Sequence, residues 1–273
     1  MKTLYISDLD GTLLDKNARL SNQSSRIIRK LIDNGLLFTI ATARSQSSLE
    51  ILSELNINIP CVQLNGVLTY DFSKKEYTDC IPIEPYTARY VIAVLRKHGR
   101  MSFVYRADQQ YGIHVEFERL TNDVEREFFN ARKDKDYKSF CQVDRITVSD
   151  CDKVIYFTMI DSYEKLLPIH NEISMDPRVR STLYSDNYSD LYFLEVFSSK
   201  ATKAAGMLKI KDQLKADRVI AFGDNLNDID MLKSADIGIA VGDAVEQTKQ
   251  AADLIIGNSF EDGVALYIEK TYK

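Results

Sequence analysis

The sequence predicts an α/β protein with a doubly wound parallel sheet, interrupted by an inserted α+β domain. Short apolar runs alternate with helical patterns at both ends of the chain, which is typical of buried parallel strands joined by helices. Between about residues 84 and 190 the order changes to strand pairs and separate helices. A length of 273 residues also suits two domains. We therefore predict a discontinuous core domain over 1–83 and 191–273 and an inserted domain over 84–190.

The first elements of the core follow from apolar periodicity and from helix capping. An apolar run predicts a strand over 4–6, and helical spacing of apolar residues predicts a helix over 21–34. Ser21 is a suitable N-cap for that helix, and Gly35 is a suitable stop. A second buried strand is expected over 36–41.

The next segment predicts one helix and three strands. Ser47 and Glu50 have the spacing of a capping box, which predicts a helix that reaches about residue 55. A third short strand is expected over 61–64. Strands over 67–70 and 76–81, separated by a polar turn, predict a hairpin.

The remaining elements are predicted from the same signals. In the inserted domain they alternate between helices and strand pairs, and they occupy 86–98, 102–106, 111–115, 120–133, 154–160, a helix from 162, and 179–184. A strand over 191–196 falls just past the predicted boundary. The end of the chain returns to alternating helices and strands, at 202–214, 218–222, 228–234, 237–241, 244–251, 254–256 and 260–272.

Composition argues against several classes of protein. Lys and Arg total 35 against 40 Asp and Glu, so the net charge of −5 gives no attraction to nucleic acid or to an anionic membrane. No apolar run approaches the roughly 18 residues of a membrane span. Asp8 interrupts any apolar signal-peptide segment, so we expect a cytoplasmic protein. The four cysteines form no C-x-x-C pair, which fits free thiols in a reducing compartment.

Four polar clusters directly follow predicted strands of the core, where an open α/β sheet has its binding crevice. They are DLDGT at 8–12, ATAR at 41–44, NG at 65–66 and GDNLND at 223–228. An acid at the end of a buried strand is costly unless a cation or hydrogen-bond donors meet it. Three or more acids at such strand ends therefore indicate a hard divalent cation with oxygen ligands.

The D-x-D-G-T box at 8–12 and the G-D-x-x-N-D box at 223–228 resemble the most specific motifs of the haloacid dehalogenase (HAD) superfamily of phosphohydrolases. The arrangement is similar to the Cof-type subfamily (class IIB), in which a large α/β cap lies between the second and third motifs. The resemblance covers the whole chain. It implies a Rossmann-like core, a cap domain at 84–190 and a phosphatase that uses Mg²⁺.

Catalytic and metal-binding roles are carried over from this resemblance position by position. Asp8 matches the nucleophile that forms an aspartyl-phosphate, and Asp10 matches the general acid/base that protonates the leaving group and then deprotonates water. Gly11 lowers the conformational free energy of the bend between the strand and the loop. The implied Mg²⁺ ligands are the Asp8 carboxylate, the Asp10 backbone carbonyl and the Asp224 carboxylate, and Asp228 is implied to support them without touching the metal.

The resemblance also implies a set of phosphate-binding residues, namely Leu9, Thr42, Ala43, Lys203 and Asn227. Thr42 matches a hydroxyl that holds a phosphoryl oxygen, with the Ala43 amide beside it. The family usually has Gly where this chain has Ala43. Arg44 is expected either to order this loop or to form a surface salt bridge.

Two lysines compete for the third motif. Lys203 lies between Thr202 and Ala204 at a predicted helix start, after the acidic Glu195, as the family pattern requires. Lys200 falls in the preceding loop, so we choose Lys203 as the cation that neutralises the transferring phosphoryl group. Ala204 stands where the family usually has Gly.

The leading interpretation is Mg²⁺-dependent hydrolysis of small phosphorylated metabolites, with sugar phosphates foremost. A phosphomutase or phosphotransferase on the same scaffold is an alternative, and so is a non-catalytic phosphometabolite-binding protein. The implied partner is a small metabolite rather than a nucleic acid or a membrane. The substrate, the cap residues that select it and the oligomeric state do not follow from the sequence.

Overall fold

The computed structural model describes residues 1–135, 138–185 and 190–272. It divides the chain into two compact units. Met1–Thr78 and Thr202–Lys273 form one, here called the core unit. Asp79–Ala201 form the other, here called the insert unit.

The strands, numbered along the chain, are β1 (Thr3–Ser7), β2 (Leu37–Ile40), β3 (Pro60–Gln63), β4 (Leu68–Asp71), β5 (Glu76–Cys80), β6 (Phe103–Ala107), β7 (Ile113–Phe117), β8 (Ser139–Gln142), β9 (Lys153–Asp161), β10 (Val179–Ser185), β11 (Tyr192–Ser198), β12 (Arg218–Gly223), β13 (Ile237–Ala240) and β14 (Leu254–Ile255). The α-helices are α1 (Asn22–Asp33), α2 (Pro85–Lys97), α3 (Asp123–Asn130), α4 (Tyr163–Ile173), α5 (Lys203–Leu214), α6 (Ile229–Ser234), α7 (Glu246–Ala251) and α8 (Gly263–Thr271).

The core unit contains a five-stranded sheet in the order β14-β13-β12-β1-β2, and every pairing in it is parallel. Its central strands are apolar and buried on both faces, as a parallel sheet covered by helices requires. Ser7 at the end of β1 pairs with Ile40 of β2 on one side and Phe222 of β12 on the other. The carboxyl ends of these three strands therefore meet, and the predicted α/β core is confirmed.

Helix ends in the core unit follow the capping chemistry of the sequence. The Ser21 hydroxyl accepts a hydrogen bond from the Ser24 amide at the start of α1, and Gly35 follows its end with φ +95°. Both were predicted. The Thr202 hydroxyl likewise accepts from the Ala205 amide at 3.0 Å and fixes the start of α5. Lys203 is thus held at the first position of a regular helix.

Two predictions for the first part of the core were wrong. The expected helix up to residue 55 is replaced by two 3-10 helices, Gln46–Ser48 and Glu50–Leu55, interrupted at Leu49. The expected third parallel strand, β3, pairs antiparallel with β4 in a separate three-stranded sheet, β3-β4-β5. One parallel bridge, between Ala41 and Val62, connects β3 to the segment after β2. The adjacent hairpin offers β3 a full antiparallel ladder, which a single bridge cannot match.

The insert unit is an α+β module, as predicted. Its six-stranded sheet has the order β10-β11-β9-β6-β7-β8, with antiparallel pairs except for the parallel pair β7–β8. Apolar residues of the sheet form one buried cluster with those of α2 and α4. Strand β8 was not predicted from the sequence.

Strand β11 differs from its predicted assignment. The expected boundary after residue 190 put this strand in the core, whereas β11 pairs with β10 and β9 in the insert unit over its length. The chain re-enters the core unit at Thr202.

Among the described residues, none of the helices combines the length and apolar character needed to cross a bilayer.

Candidate active site

The loop after β1 bends sharply beside the loop after β12. The Asp8 amide donates to the Phe222 carbonyl at 2.9 Å, which continues the β1–β12 ladder by one residue. Beyond it, the Leu9 carbonyl accepts from the Leu14 amide at 2.8 Å, so the chain turns at once. Gly11 has φ +76°, and a Cβ there would lie 2.6 Å from Asp224 Oδ2. Glycine is required both for the turn and for the close approach of the two loops.

A buried lysine connects the two loops. Lys203 Nζ lies 2.5 Å from Asp8 Oδ1 and 2.7 Å from Asp228 Oδ1. Lys203 is 2% exposed, Asp8 5% and Asp228 0%, so these ion pairs are removed from solvent. Charge-assisted hydrogen bonds of this kind are shorter and stronger than hydrogen bonds between neutral groups.

The carboxylates of Asp8, Asp224 and Asp228 form one cluster, with a carboxylate oxygen of each within 4.8 Å of the others. Asp228 Oδ2 accepts from the backbone amides of Asp224 at 3.1 Å and Asn225 at 3.0 Å, while its other oxygen accepts from Lys203. The Thr12 hydroxyl donates to Asp224 Oδ1 at 2.8 Å. Asp228 thus has both oxygens occupied by protein donors.

Burial sets the electrostatics of this cluster. It raises the pKa of Asp8 well above its usual range; Lys203 opposes that rise and Asp228 adds to it. Burial also raises the pKa of Asp224, against the hydrogen bond from Thr12. For Lys203, burial disfavours the charged form, yet Asp8 and Asp228 prevail and raise the pKa of its ammonium. One ammonium therefore accompanies three clustered carboxylates, of which Asp8 and Asp228 are buried and Asp224 is half-buried.

This donor set fits a divalent cation. Carboxylate oxygens are the ligands that Mg²⁺ prefers, and the negative charge that Lys203 leaves unbalanced is the charge such an ion offsets. Asp8 and Asp224 are the members best placed to bind it, because both oxygens of Asp228 already accept from protein groups.

Asp10 lies at the edge of the site and faces an arginine. Arg44 Nε lies 2.8 Å from Asp10 Oδ2, and Arg44 Nη2 lies 2.6 Å from Asp10 Oδ1. The Asp10 side chain is 50% exposed and that of Arg44 21%. The predicted general acid/base is therefore held outside the buried cluster.

Thr42 and Ala43 occupy the loop after β2. Thr42 is fully buried; its amide donates to the Val62 carbonyl at 2.9 Å and its hydroxyl accepts from the Arg44 amide at 3.1 Å. Ala43 is exposed. An exposed Ala43 therefore follows a buried and hydrogen-bonded Thr42 in this loop.

Asn227 contacts the third polar cluster, NG at 65–66. Its side-chain amide donates to Asn65 Oδ1 at 3.1 Å, and it lies on the exposed side of the loop after β12. Gly66 follows with φ +103°, and a Cβ there would overlap the backbone of Thr202. The NG cluster is thus packed against the start of the helix that carries Lys203.

Comparison with known proteins identifies the family. A model of the haloacid dehalogenase-like hydrolases matches residues 5–268. The chain belongs to this family. The predicted HAD superfamily, its Cof-type subfamily and the phosphatase class of enzyme are confirmed.

Individual HAD proteins resemble this chain over its full length. The 5-amino-6-(5-phospho-D-ribitylamino)uracil phosphatase YitU of Bacillus subtilis is 27% identical over 98% of this chain and 97% of its own. A haloacid dehalogenase-like hydrolase from Bacteroides thetaiotaomicron has a structure with TM-score 0.74 and 23% identity, covering 100% of both chains. A subclass IIB sugar phosphatase of the superfamily has TM-score 0.69 and 22% identity, covering 99% of this chain and 98% of its own.

Several contacts of this HAD site were not foreseen from the sequence. No role was assigned to Thr12, which holds Asp224, or to Asn65, which holds Asn227. Arg44 was expected either to order its loop or to form a surface salt bridge, and it does both, but its salt-bridge partner, Asp10, lies 34 positions away and was not foreseen. The polar character of the clusters was the available signal, but pairing between loops depends on strand order.

Proposed function

We propose that this HAD phosphatase hydrolyses small phosphorylated metabolites, sugar phosphates foremost, with Mg²⁺ and through an aspartyl-phosphate on Asp8. The observation that carries the proposal is the buried contact of Asp8 with Lys203, beside Asp224 and at the end of a parallel strand. A carboxylate fixed in this way can attack phosphorus while a cation meets the incoming negative charge.

The proposed reaction has two displacements. In the first, an Asp8 oxygen bonds to phosphorus, the bond to the leaving oxygen breaks, and Asp10 gives that oxygen a proton. In the second, Asp10 takes a proton from water as the water oxygen bonds to phosphorus and Asp8 departs. Inorganic phosphate and the unchanged enzyme result.

The phosphoryl group needs donors on its other oxygens. We assign these to Lys203, the Thr42 hydroxyl and Asn227, together with the backbone amides of Leu9 and Ala43. The Arg44 amide already donates to Thr42 and leaves that hydroxyl free to donate onward, which supports its part in the set. Burial raises the pKa of Asp8, and Lys203 opposes that rise, so the ammonium favours the ionised form that attacks phosphorus.

Bound Mg²⁺ would reduce the repulsion between an anionic nucleophile and an anionic phosphate. The chain's own residues for holding it are the carboxylates of Asp8 and Asp224 and the carbonyl of Asp10. Asp228 is assigned to support them, since it fixes the Asp224 amide and Lys203.

The inserted domain is proposed to act as a cap that excludes water and contacts the leaving group. Sugar phosphates are proposed because YitU is named for a substrate that carries a phosphoribityl group, a phosphorylated polyol chain. The proposed enzyme is cytoplasmic, and its proposed substrate is a free small metabolite.

A substrate panel tests the proposal. Purified protein with Mg²⁺ is assayed against sugar phosphates, nucleotides, cofactor phosphates and a generic aryl phosphate, and inorganic phosphate is measured. Release of phosphate from sugar phosphates is the expected result. An isomerised sugar phosphate without free phosphate indicates a mutase instead, and no turnover on any ester indicates a binding protein.

Turnover should require Mg²⁺, and Ca²⁺ should inhibit it. Mg²⁺ accepts six oxygens in a compact octahedron, whereas Ca²⁺ takes six to eight at longer range and binds both oxygens of a carboxylate. Such a contact would hold Asp8 back from phosphorus. Rates are measured in chelator, in Mg²⁺ and in Mg²⁺ with rising Ca²⁺. Full activity in chelator, or equal rates with the two ions, would contradict the expectation.

A further inference from the structure

The pair formed by Arg44 and Asp10 has the geometry of a two-pronged clamp. Two different nitrogens of the guanidinium contact two different oxygens of the carboxylate, at 2.8 and 2.6 Å. Such a pair fixes the plane of the carboxyl group as well as its position, because both donors belong to one rigid group. A lysine in the same place would supply charge without that orientation.

Arg44 is itself fixed at both ends. Its Nη1 donates to the Ser48 carbonyl at 3.0 Å, and its backbone amide donates to the Thr42 hydroxyl at 3.1 Å. Its carbonyl accepts from the Leu64 amide at 3.2 Å. A mobile surface ion pair contributes little to stability because its side chains lose conformational entropy when the pair forms. The contacts of Arg44 with its own loop already restrict its side chain, so its pairing with Asp10 costs little further entropy.

We propose that Arg44 is a positioning residue for Asp10, and that it sets the direction in which Asp10 presents an oxygen to the leaving group and to water. The inference rests on the proposed function, since it gives a partner to the general acid/base of that reaction. Asp10 is half exposed and lies on a loop, so without the clamp its side chain has several rotamers available.

The clamp is weaker on one side when Asp10 carries a proton. A protonated carboxyl oxygen is a poorer acceptor for the guanidinium than the oxygen that remains unprotonated. One of the two contacts between Arg44 and Asp10 persists and maintains the plane of the carboxyl group. The other Asp10 oxygen turns toward the substrate. That oxygen delivers its proton as the bond from phosphorus to the leaving oxygen breaks, and it later accepts one from the attacking water.

The dependence of rate on the leaving group separates this role from others. An alkoxide needs a proton as it departs, whereas a dinitrophenolate is stable without one. An arginine that orients the general acid therefore matters for alkyl phosphates and hardly at all for dinitrophenyl phosphate in the step that forms the phosphoenzyme. An arginine that binds phosphate, or that only holds its loop, matters equally for both.

The test compares wild type, Arg44→Ala, Arg44→Lys and the exposed control Arg29→Ala on the best alkyl phosphate of the panel and on 2,4-dinitrophenyl phosphate. For Arg44→Ala, kcat/KM should fall at least about 30-fold on the alkyl ester and less than about threefold on the aryl ester. Arg44→Lys should lose at least about tenfold on the alkyl ester, because charge without the fork does not orient Asp10. Arg29→Ala should match wild type.

Equal losses on the two esters, or full activity of Arg44→Lys, overturn the inference and leave the proposed function standing. A wild type without turnover on either ester overturns the proposed function itself. Thermal melts accompany each assay. Should Arg44→Ala fail to fold, Arg44→Gln takes its place, and the same ratio of losses between the two esters decides.

Discussion

An Asp8→Asn variant should fold like the wild type and turn over substrate at less than about 1% of its rate. Asp8 is 5% exposed, and its Oδ1 lies 2.5 Å from Lys203 Nζ. The amide keeps the shape of the carboxyl group but is a poor nucleophile, and it removes one of three clustered negative charges. Burial raises the pKa of Asp8 because a charged side chain is unfavourable there. A neutral side chain of the same size avoids that unfavourable free energy, so the fold should be retained.

The measurement is initial rate at saturating Mg²⁺, together with a thermal melt and an intact mass that excludes deamidation back to aspartate. Asp33→Asn on the exposed face of α1 is the matched control and should behave as wild type. A melting temperature within about 5 °C of wild type shows that the fold survives. Residual activity above about 1% with the correct mass would remove Asp8 from the role of nucleophile.

Much of this site follows from a simple rule about parallel sheets. Side chains that follow neighbouring strands at their carboxyl ends lie close together. Asp8 and Asp224 follow β1 and β12, which pair with each other, and their loops come within contact distance at Gly11. Separate clusters in the sequence therefore predicted a common crevice without knowledge of any contact.

Strand pairing is what the sequence could not supply. A short apolar run such as that of β3 predicts a strand but not its neighbours, so an antiparallel partner in the following hairpin was not foreseen. The same holds for β11, whose position after the predicted boundary suggested the core although it pairs with β9 and β10. Strand β8 is short and mostly exposed, and it has no apolar alternation that would mark it.

Contacts between loops depend on those pairings and were missed for the same reason. Arg44 and Asp10 belong to different clusters, and nothing in either segment indicates the other. Capping residues, by contrast, act within one turn of helix, and Ser21 was therefore identified as an N-cap from local sequence. The range over which an interaction acts along the chain decides whether sequence alone can predict it.

Two lysines three positions apart should respond very differently to removal. Lys203→Ala should lose at least about a hundredfold in turnover, and Lys200→Ala less than about threefold. Lys203 is 2% exposed and contacts both Asp8 and Asp228, at 2.5 and 2.7 Å. Lys200 pairs with Glu84 at 3.2 Å, and these two side chains are 74% and 67% exposed, so that ion pair contributes little.

Loss of Lys203 acts on the nucleophile as well as on the phosphoryl group. Without the ammonium, Asp8 keeps the burial and the Asp228 charge that raise its pKa and loses the cation that opposes them, so less of it is ionised. The variant also leaves two buried carboxylates without their cation, which lowers stability. Rates are therefore compared at saturating Mg²⁺ and below the melting temperature of each variant.

Chemical rescue separates lost chemistry from lost folding. A small alkylammonium such as ethylammonium can enter the space left by Lys203→Ala and meet Asp8 and Asp228, so it should restore part of the turnover of that variant. It should leave Lys200→Ala and wild type unchanged, because neither has a vacated cation position in the buried cluster. If Lys200→Ala loses turnover and Lys203→Ala keeps it, the assignment is reversed and the lysine of the third motif lies three residues earlier. That outcome would hold despite the contact between Lys203 and Asp8.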